Sequence, residues 1–434
     1  MKRETWFNNE IPQSWEVTRL KNVIISVKNG IWGDEPLNNS DDIECVRIAD
    51  FDRKKNIVKD KEFTLRNIPK IQSENYLLKK GDLLIEKSGG GEKQPVGFVV
   101  QYNLDKKAVY ANFMAKIELN SQKVDSTFIN YVFSSLYAVK ANLKAFNQTT
   151  GIQNLNTSVY LNEVFMYPSL NVQKNIVNFL NKKIQAIDET INKKQKMVEL
   201  LEQQRQSIIT EAVTKGLNPN AKMKDSGVEW IGEIPEYWEV NKIKFKFDIR
   251  KVIQPTENPT VLSLTQRGLK IKDLNDFSGQ HADSYDKYQK VEIKDYVMNG
   301  MDLLTGYVDC SRFEGVTSPD YRVFRIKDNT ECHDYYLRYF QMCYFSKIFY
   351  GHGQGVSNFG RWRLQTDVFK EFPIPVPPKD EQFKVSEFLK AKEMKIDKAL
   401  ELINLDIEKL KEYRKSLIYE AVTGKIDVRD MELD

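Results

Sequence analysis

Residues 173–214 read QKNIVNFLNKKIQAIDETINKKQKMVELLEQQRQSIITEAVT, and residues 382–423 read QFKVSEFLKAKEMKIDKALELINLDIEKLKEYRKSLIYEAVT. In the first, Val177, Leu180, Ile184, Ile187, Ile191, Lys194, Val198, Leu201, Arg205, Ile208 and Ala212 follow at steps of three and four, the spacing of a coiled-coil seam. Moved on by 209 positions, the same register gives Ser386, Leu389, Glu393, Ile396, Leu400, Ile403, Ile407, Leu410, Arg414, Leu417 and Ala421. Even the polar interruption at Arg205 returns, as Arg414. Asn171 and Asp380 suit N-caps, and Gly216 and Gly424 stand just past the ends, where a C-terminal cap takes positive φ. No proline interrupts either segment, and Pro377-Pro378 precede the second. Each helix should be roughly 63 Å long at ~1.5 Å per residue. Two helices of equal length with one apolar stripe each can bury those stripes together. Under a pseudo-two-fold axis they run antiparallel, with a globular part at either end. Taken alone, a plain helical hairpin or spacer would show the same stripes.

Outward from the helices the repeat continues. Ile11-Pro12-x-x-Trp15-Glu16-Val17 recurs as Ile234-Pro235-x-x-Trp238-Glu239-Val240 at an offset of 223, while Glu211-Ala212-Val213-Thr214 recurs as Glu420-Ala421-Val422-Thr423 at 209. About fourteen residues are therefore missing from the second globular part. Between these ends, Lys80-Gly81-Asp82-Leu83-Leu84 has a weaker echo in Gly300-Met301-Asp302-Leu303-Leu304. Matching ends around variable middles read as one scaffold carrying two surfaces. Strand-like runs at 96–100 and 321–326, followed by helical patterns at 126–144 and 333–349, predict α+β domains.

Composition sets the bounds. The chain has 434 residues, 41% hydrophobic and 29% charged, so it exceeds one ordinary domain. No apolar run approaches the ~20 residues of a membrane span, and the first residues lack the apolar core of a signal peptide. Cys45, Cys310, Cys332 and Cys343 form no paired framework, as in a reducing cytoplasm. A formal charge of +4 permits nucleic-acid binding through local patches without announcing it.

Three loops carry candidate binding chemistry. Lys87-Ser88-Gly89-Gly90-Gly91-Glu92-Lys93-Gln94 follows the strand-like Asp82–Glu86 stretch. Its glycines allow close backbone approach, and Lys87, Ser88, Lys93 and Gln94 offer donors to phosphates or base edges. A flexible hairpin would read the same way, and the Gly-Lys-Ser/Thr ending of a Walker A loop is missing. Asn147-Gln148-Thr149-Thr150-Gly151-Ile152-Gln153-Asn154 matches Gly351-His352-Gly353-Gln354-Gly355-Val356-Ser357-Asn358. Side-chain amides can bond adenine bidentately, which makes Gln148, Thr149, Gln153, Asn154, Gln354, Ser357 and Asn358 candidates for base reading. Arg267, Tyr307 and Arg312 join them in the second domain, where Lys270, Arg361, Trp362 and Arg363 also stand. A surface arginine is more often solvated or ion-paired than bound to a base.

Catalytic patterns are missing. His281, His333 and His352 have no partners at zinc-ligand spacing, and no serine nucleophile elbow occurs. There is no [Asp/Asn]-Pro-Pro-[Tyr/Phe] string for base methylation, and Pro319-Asp320 lacks a downstream Glu-x-Lys.

The string Met223-Lys224-Asp225-Ser226-Gly227-Val228-Glu229-Trp230-Ile231-Gly232-Glu233-Ile234-Pro235, with Pro375-Val376-Pro377-Pro378-x-x-Glu381-Gln382 and the Glu-Ala-Val-Thr exits, resembles the specificity subunit of type I restriction-modification systems over essentially the whole chain. Lys87-Ser88-Gly89-Gly90 with Pro95-Val96-Gly97 resembles a loop of some recognition domains in that family. The first half departs at Tyr167–Lys174, which keeps one proline and lacks the Glu-Gln pair. The resemblance implies an α+β fold: two similar target recognition domains separated by two long antiparallel coiled-coil helices, in a pseudo-two-fold internal repeat. The expected division is a first recognition domain at 1–170, a first spacer helix at 171–217, a linker at 218–233, a second recognition domain at 234–378, a second spacer helix at 379–426 and a tail at 427–434. It further implies double-stranded DNA with a bipartite target as ligand, the helices setting half-site separation by the geometry of two-fold readers. The implied partners are two modification (methyltransferase) subunits and ATP-dependent restriction subunits, in the cytoplasm, with no membrane. S-adenosylmethionine, ATP and Mg would belong to those partners, and this chain would hold no cofactor or metal and catalyse nothing. Two rivals stay open at this point: an enzyme with divergent motifs, and a coiled-coil scaffold that reads no bases.

Overall fold

The computed structural model describes residues 6–7, 11–149, 152–253, 259–273, 284–355 and 362–428. Two compact units divide the chain: Met1–Lys194 with Leu405–Asp434, and Gln195–Asn404. The long helices run Leu170–Lys215 and Lys379–Val422, so each unit takes part of both.

In the first unit a six-stranded sheet has the order Ile24–Asn29, Met114–Leu119, Leu83–Glu86, Val99–Gln101, Ile57–Val58, Phe51–Asp52. All four residues of Leu83–Glu86 are buried, which is why that run is apolar without alternation up to its last residue. The helix Ser126–Ala138 is capped by Asp125, whose carboxylate accepts from the Thr127 and Phe128 amides at 2.9 and 3.0 Å. It stops short of the predicted 126–144, because Lys140 takes a left-handed φ of 60° and turns the chain into a 3-10 turn at Ala141–Ala145. With no glycine there, the sequence carried no stop signal.

The second unit repeats the plan more compactly, with sheet order Phe247–Arg250, Arg322–Ile326, Tyr296–Met298, Val308–Cys310. Its helix His333–Phe345 also ends before a left-handed lysine, Lys347 with φ 56°. The core is aromatic: Phe247 packs edge-on against Tyr296, Phe324, Tyr336 and Phe340.

Within each unit the helix segments pair antiparallel along the predicted seam. In the first, Val177, Leu180, Ile184, Ile187 and Ile191 are buried, as are Ile407, Leu417 and Ala421. Asp188 meets Arg414 at 3.2 Å and Lys194 meets Asp406 at 2.9 Å, so one helix number rises as the other falls. In the second, Arg205 pairs with Asp397. The repeated polar interruption is thereby explained, since Arg205–Asp397 and Arg414–Asp188 are the same ion pair made once in each unit. Glu393 stands where the first unit has the buried Ile184. It is tolerated because Arg338, in the place of Tyr131, pairs with it at 2.7 Å.

Gln173 and Gln382 fasten each long helix to its own globular part. The Gln173 side chain accepts from the Asp125 amide (2.8 Å) and donates to the carbonyls of Lys123 (3.0 Å) and Pro168 (2.8 Å). Gln382 likewise accepts from the Cys332 amide (2.9 Å) and donates to the Pro377 carbonyl (3.0 Å). The first half therefore retains the glutamine of the Glu-Gln pair and lacks only the glutamate. In the second, that glutamate, Glu381, accepts from Trp238 Nε1 at 3.0 Å. The predicted caps divide. Gly216 and Gly424 take φ of 71° and 67° as expected. Asn171 and Asp380 instead lie one residue inside the helices, where Asp380 accepts from Lys384 at 3.1 Å.

Hydrogen bonds also correct the weak echo. Lys79 accepts Asp82's amide and donates its own to the Asp82 carboxylate, and Glu292 and Asp295 make the same pair of bonds. The counterpart of Gly81-Asp82-Leu83-Leu84 is thus Lys294-Asp295-Tyr296-Val297, not Gly300–Leu304. Buried strands demand apolar residues in register, not identical ones, so the more similar string misled.

Candidate nucleic-acid interface

The glycine-bearing loop and the first amide-rich loop form one surface. The amide loop is a hairpin, Phe146–Thr149 paired with Ile152–Leu155, and its second strand pairs with Ser88–Gly89. Ser88 Oγ donates to Asn154 Oδ1 at 2.6 Å, and both residues reach solvent. The Leu155 amide donates to the Lys87 carbonyl at 2.7 Å, locking the loop root to the hairpin. Lys87 Nζ donates to Asn29 Oδ1 on the edge strand of the sheet. Two glycines are required by geometry: Gly89 has φ 118°, and a Cβ on Gly90 would stand 2.8 Å from both Gln153 Oε1 and the Val96 amide.

Placement separates the candidates. Lys93 and Gln94 are exposed at a turn closed by reciprocal bonds between Gly91 and Gln94. Asn154 is exposed. Gln153 is only 3% exposed and its Oε1 accepts from the Val96 amide at 3.2 Å, so its amide is committed to holding the loop. Gln148 and Thr149 lie in the hairpin, but their side chains are outside the described residues, as are Ser357, Asn358 and Arg361 entirely. Beneath the loop, Arg53 pairs with buried Glu86 and lies 4.7 Å from the Phe98 ring centroid. Burial pushes the Glu86 carboxyl up while Arg53 opposes it. Asn29, Arg53 and Glu86 escaped sequence reasoning because their partners are distant in the chain, and an isolated Asn or Arg–Glu carries no signal.

In the second unit the corresponding hairpin pairs Gln354–Gly355 with Trp362–Arg363, and Gln354 is exposed. Arg267, Tyr307 and Arg312 come together elsewhere, around a cavity of about 350 Å³ that also touches Arg338 and Lys390. Arg267 and Arg312 are exposed, while burial raises the Tyr307 hydroxyl. These surfaces offer amides, hydroxyls and cations to a polyanion. Among the described residues no three His, Cys, Asp or Glu side chains are placed to hold a metal ion. All four cysteines are unpaired, and burial pushes Cys45 and Cys310 up to about 12. No helix among the described residues is long and apolar enough to cross a membrane.

Comparison with known proteins agrees with this architecture. The type I restriction enzyme MjaVIII specificity subunit of Methanocaldococcus jannaschii is 26% identical over 97% of this chain and 95% of its own length. The MjaX specificity subunit of the same organism, described as putative, is 24% identical over the same shares. A chain solved in work on complex assembly and conformational transition of the type I R-M system superposes with a TM-score of 0.70 at 13% identity, covering 96% of this chain and all of that one. The HsdS subunit from Thermoanaerobacter tengcongensis gives 0.52 at 12% identity, covering 96% and 99%. The family model for the type I restriction modification DNA specificity domain matches residues 12–200 and again 238–412. The chain therefore belongs to the type I restriction-modification DNA specificity family.

Proposed function

We propose that this chain reads the two halves of a bipartite DNA target, one with each unit, and delivers the DNA to partner subunits without catalysing a reaction itself. The observation that carries this is the duplication of one scaffold with unlike loops: the same four-strand sheet core, helix, hairpin strands and long helix are built twice, while the loop after the inner strand differs. A repeated scaffold with unlike surfaces suits two different half-sites better than one palindromic site.

In this reading base contact comes from the half-buried Ser88 and the exposed Lys93, Gln94, Asn154 and Gln354, from Gln148, Thr149, Ser357 and Asn358, and from Arg267, Tyr307 and Arg312, with Lys87, Gly89 and Gly90 shaping the approach. Gln153 acts through Val96 rather than on a base. Two modification subunits dock on the helices, whose exposed Met197, Leu200, Leu402 and Leu405 offer apolar contact. They methylate adenine with S-adenosylmethionine, and restriction subunits supply ATP- and Mg-dependent work, all in the cytoplasm. Mapping adenine methylation genome-wide with and without the gene tests the proposal. Deletion should erase one split motif and so disclose both half-sites. An unchanged pattern in a strain expressing the protein and an active methyltransferase partner would refute it.

A further inference from the structure

Hydrogen bonds put the loop roots of the two units in correspondence. The Glu86 amide donates to the Phe98 carbonyl (2.9 Å), and the Asn299 amide to that of Tyr307 (3.0 Å). The Leu155 amide donates to the Lys87 carbonyl (2.7 Å), and the Leu364 amide to that of Gly300 (3.0 Å). Lys87 thus corresponds to Gly300. One strand over, Ala115 pairs with Ile85 and Arg322 with Met298, so Ala115 corresponds to Arg322. The first unit places a cation on the loop beside a small strand residue, and the second inverts the pair. A Cβ on Gly300 would lie 3.4 Å from Arg322 Nη1, so the guanidinium fills the space a side chain there would enter.

Arg322 is half-buried and has no carboxylate within 4 Å among the described residues. Its Nη2 donates to the Leu364 carbonyl (2.8 Å), and the guanidinium lies 4.5 Å from the Phe369 ring centroid. Nearby Arg250, by contrast, is occupied by Glu292 (2.9 Å) and Asp295 (3.5 Å). Burial above all, with Arg363 adding to it, draws Arg322 down to about 10, still charged at neutral pH. Arg322, Arg363, Lys251 and Gly300 border a cavity of about 140 Å³, and Asp320 on its rim is exposed and makes no ion pair among the described residues. Such a cluster suits an anion with several oxygens. A base edge inside a duplex groove cannot enter a recess of that size, whereas a phosphate protrudes from the duplex.

We propose that Arg322, with Arg363 and Lys251, grips one backbone phosphate of the DNA bound by the second unit, and that Lys87 does the same in the first. The proposal rests on the reading that the units bind DNA. Its test uses the full chain with its methyltransferase partner, titrated against duplexes with and without the target at salt from about 50 to 200 mM. Wild type must first prefer the target; if it does not, the functional reading itself fails. Arg322→Gln should lower the salt slope by about 0.9, equivalent to losing about 3.5-fold less affinity than wild type across that range. It should weaken both duplexes by the same factor and leave the methylated motif unchanged. Arg363→Gln, at an exposed strand end, should act in the same direction without touching the core. Arg322→Ala should lose the contact and Arg322→Ala with Gly300→Lys should recover it, because the pair then copies the first unit. Unaltered slopes in Arg322→Gln and Arg363→Gln would overturn the proposal, as would a changed motif at an unaltered slope, which marks base contact.

Discussion

Gln382→Ala is the sharpest test of how the long helices are joined to the recognition units. The side chain is 1% exposed and the Cys332 residue it serves is 4% exposed. Truncation leaves the Cys332 amide without its acceptor, a desolvation cost of about 1–3 kcal/mol. The Pro377 carbonyl loses a donor, and the space of four heavy atoms closes only in part. Together these come to about 2–4 kcal/mol. Two compact units make a single global transition an unsafe readout, so the effect is best followed locally, by hydrogen exchange of peptides spanning 330–337 and 377–386. Exchange there should accelerate by roughly 30- to 700-fold if it proceeds through separation of helix from unit. Lys384→Ala, at an exposed site on the same turn, should stay within about 0.5 kcal/mol. Gln382→Glu separates hydrogen bonding from volume. Its carboxylate would face the Pro377 carbonyl and Glu331, so burial and repulsion would raise its folded-state pKa above the unfolded value. The penalty should then be full at neutral pH and shrink as pH falls through that raised pKa. Acceleration below about threefold in the alanine variant would refute the reasoning.

Gln173→Ala should produce a matching loss of protection at 121–128, since it makes the same contacts in the first unit. For the seam ion pair, Asp188→Arg or Arg414→Asp alone should destabilise the first unit, and the double reversal should restore much of the loss, with a coupling energy of about 0.5–3 kcal/mol in a double-mutant cycle. Glu393→Ile with Arg338→Tyr copies the apolar solution of the first unit and should be neutral or stabilising by about 1–4 kcal/mol, whereas Arg338→Tyr alone leaves the half-buried Glu393 carboxylate without its partner and should destabilise. Hydrogen bonds from Lys290 and Arg250 hold Glu292 down at about 2, against 4.5 for the free group. Its contribution to stability should be present above about 4.5 and lost as pH falls toward 2, and Glu292→Gln should flatten that part of the pH profile measured by urea denaturation.

The features legible in the amino-acid sequence are periodic or local. The two long helices, their shared seam, the glycine C-caps and the flanking repeat were legible because a 3.6-residue stripe and a positive-φ cap are properties of neighbouring residues. The family resemblance lay in strings at the ends of the repeat for the same reason. Features that depend on pairing across the chain emerge only once it is folded. Why Arg205 and Arg414 interrupt the seam follows from Asp397 and Asp188, each nearly two hundred residues or more away. That Glu393 is acceptable follows from Arg338 on another helix. The loop roots were misaligned by similarity and realigned by hydrogen bonds, since strand register is fixed by backbone partners whose side chains are free to change. That freedom lets Lys87, on a loop, and Arg322, on the neighbouring strand, bring a cation to the corresponding place, with nothing in either local string to announce it.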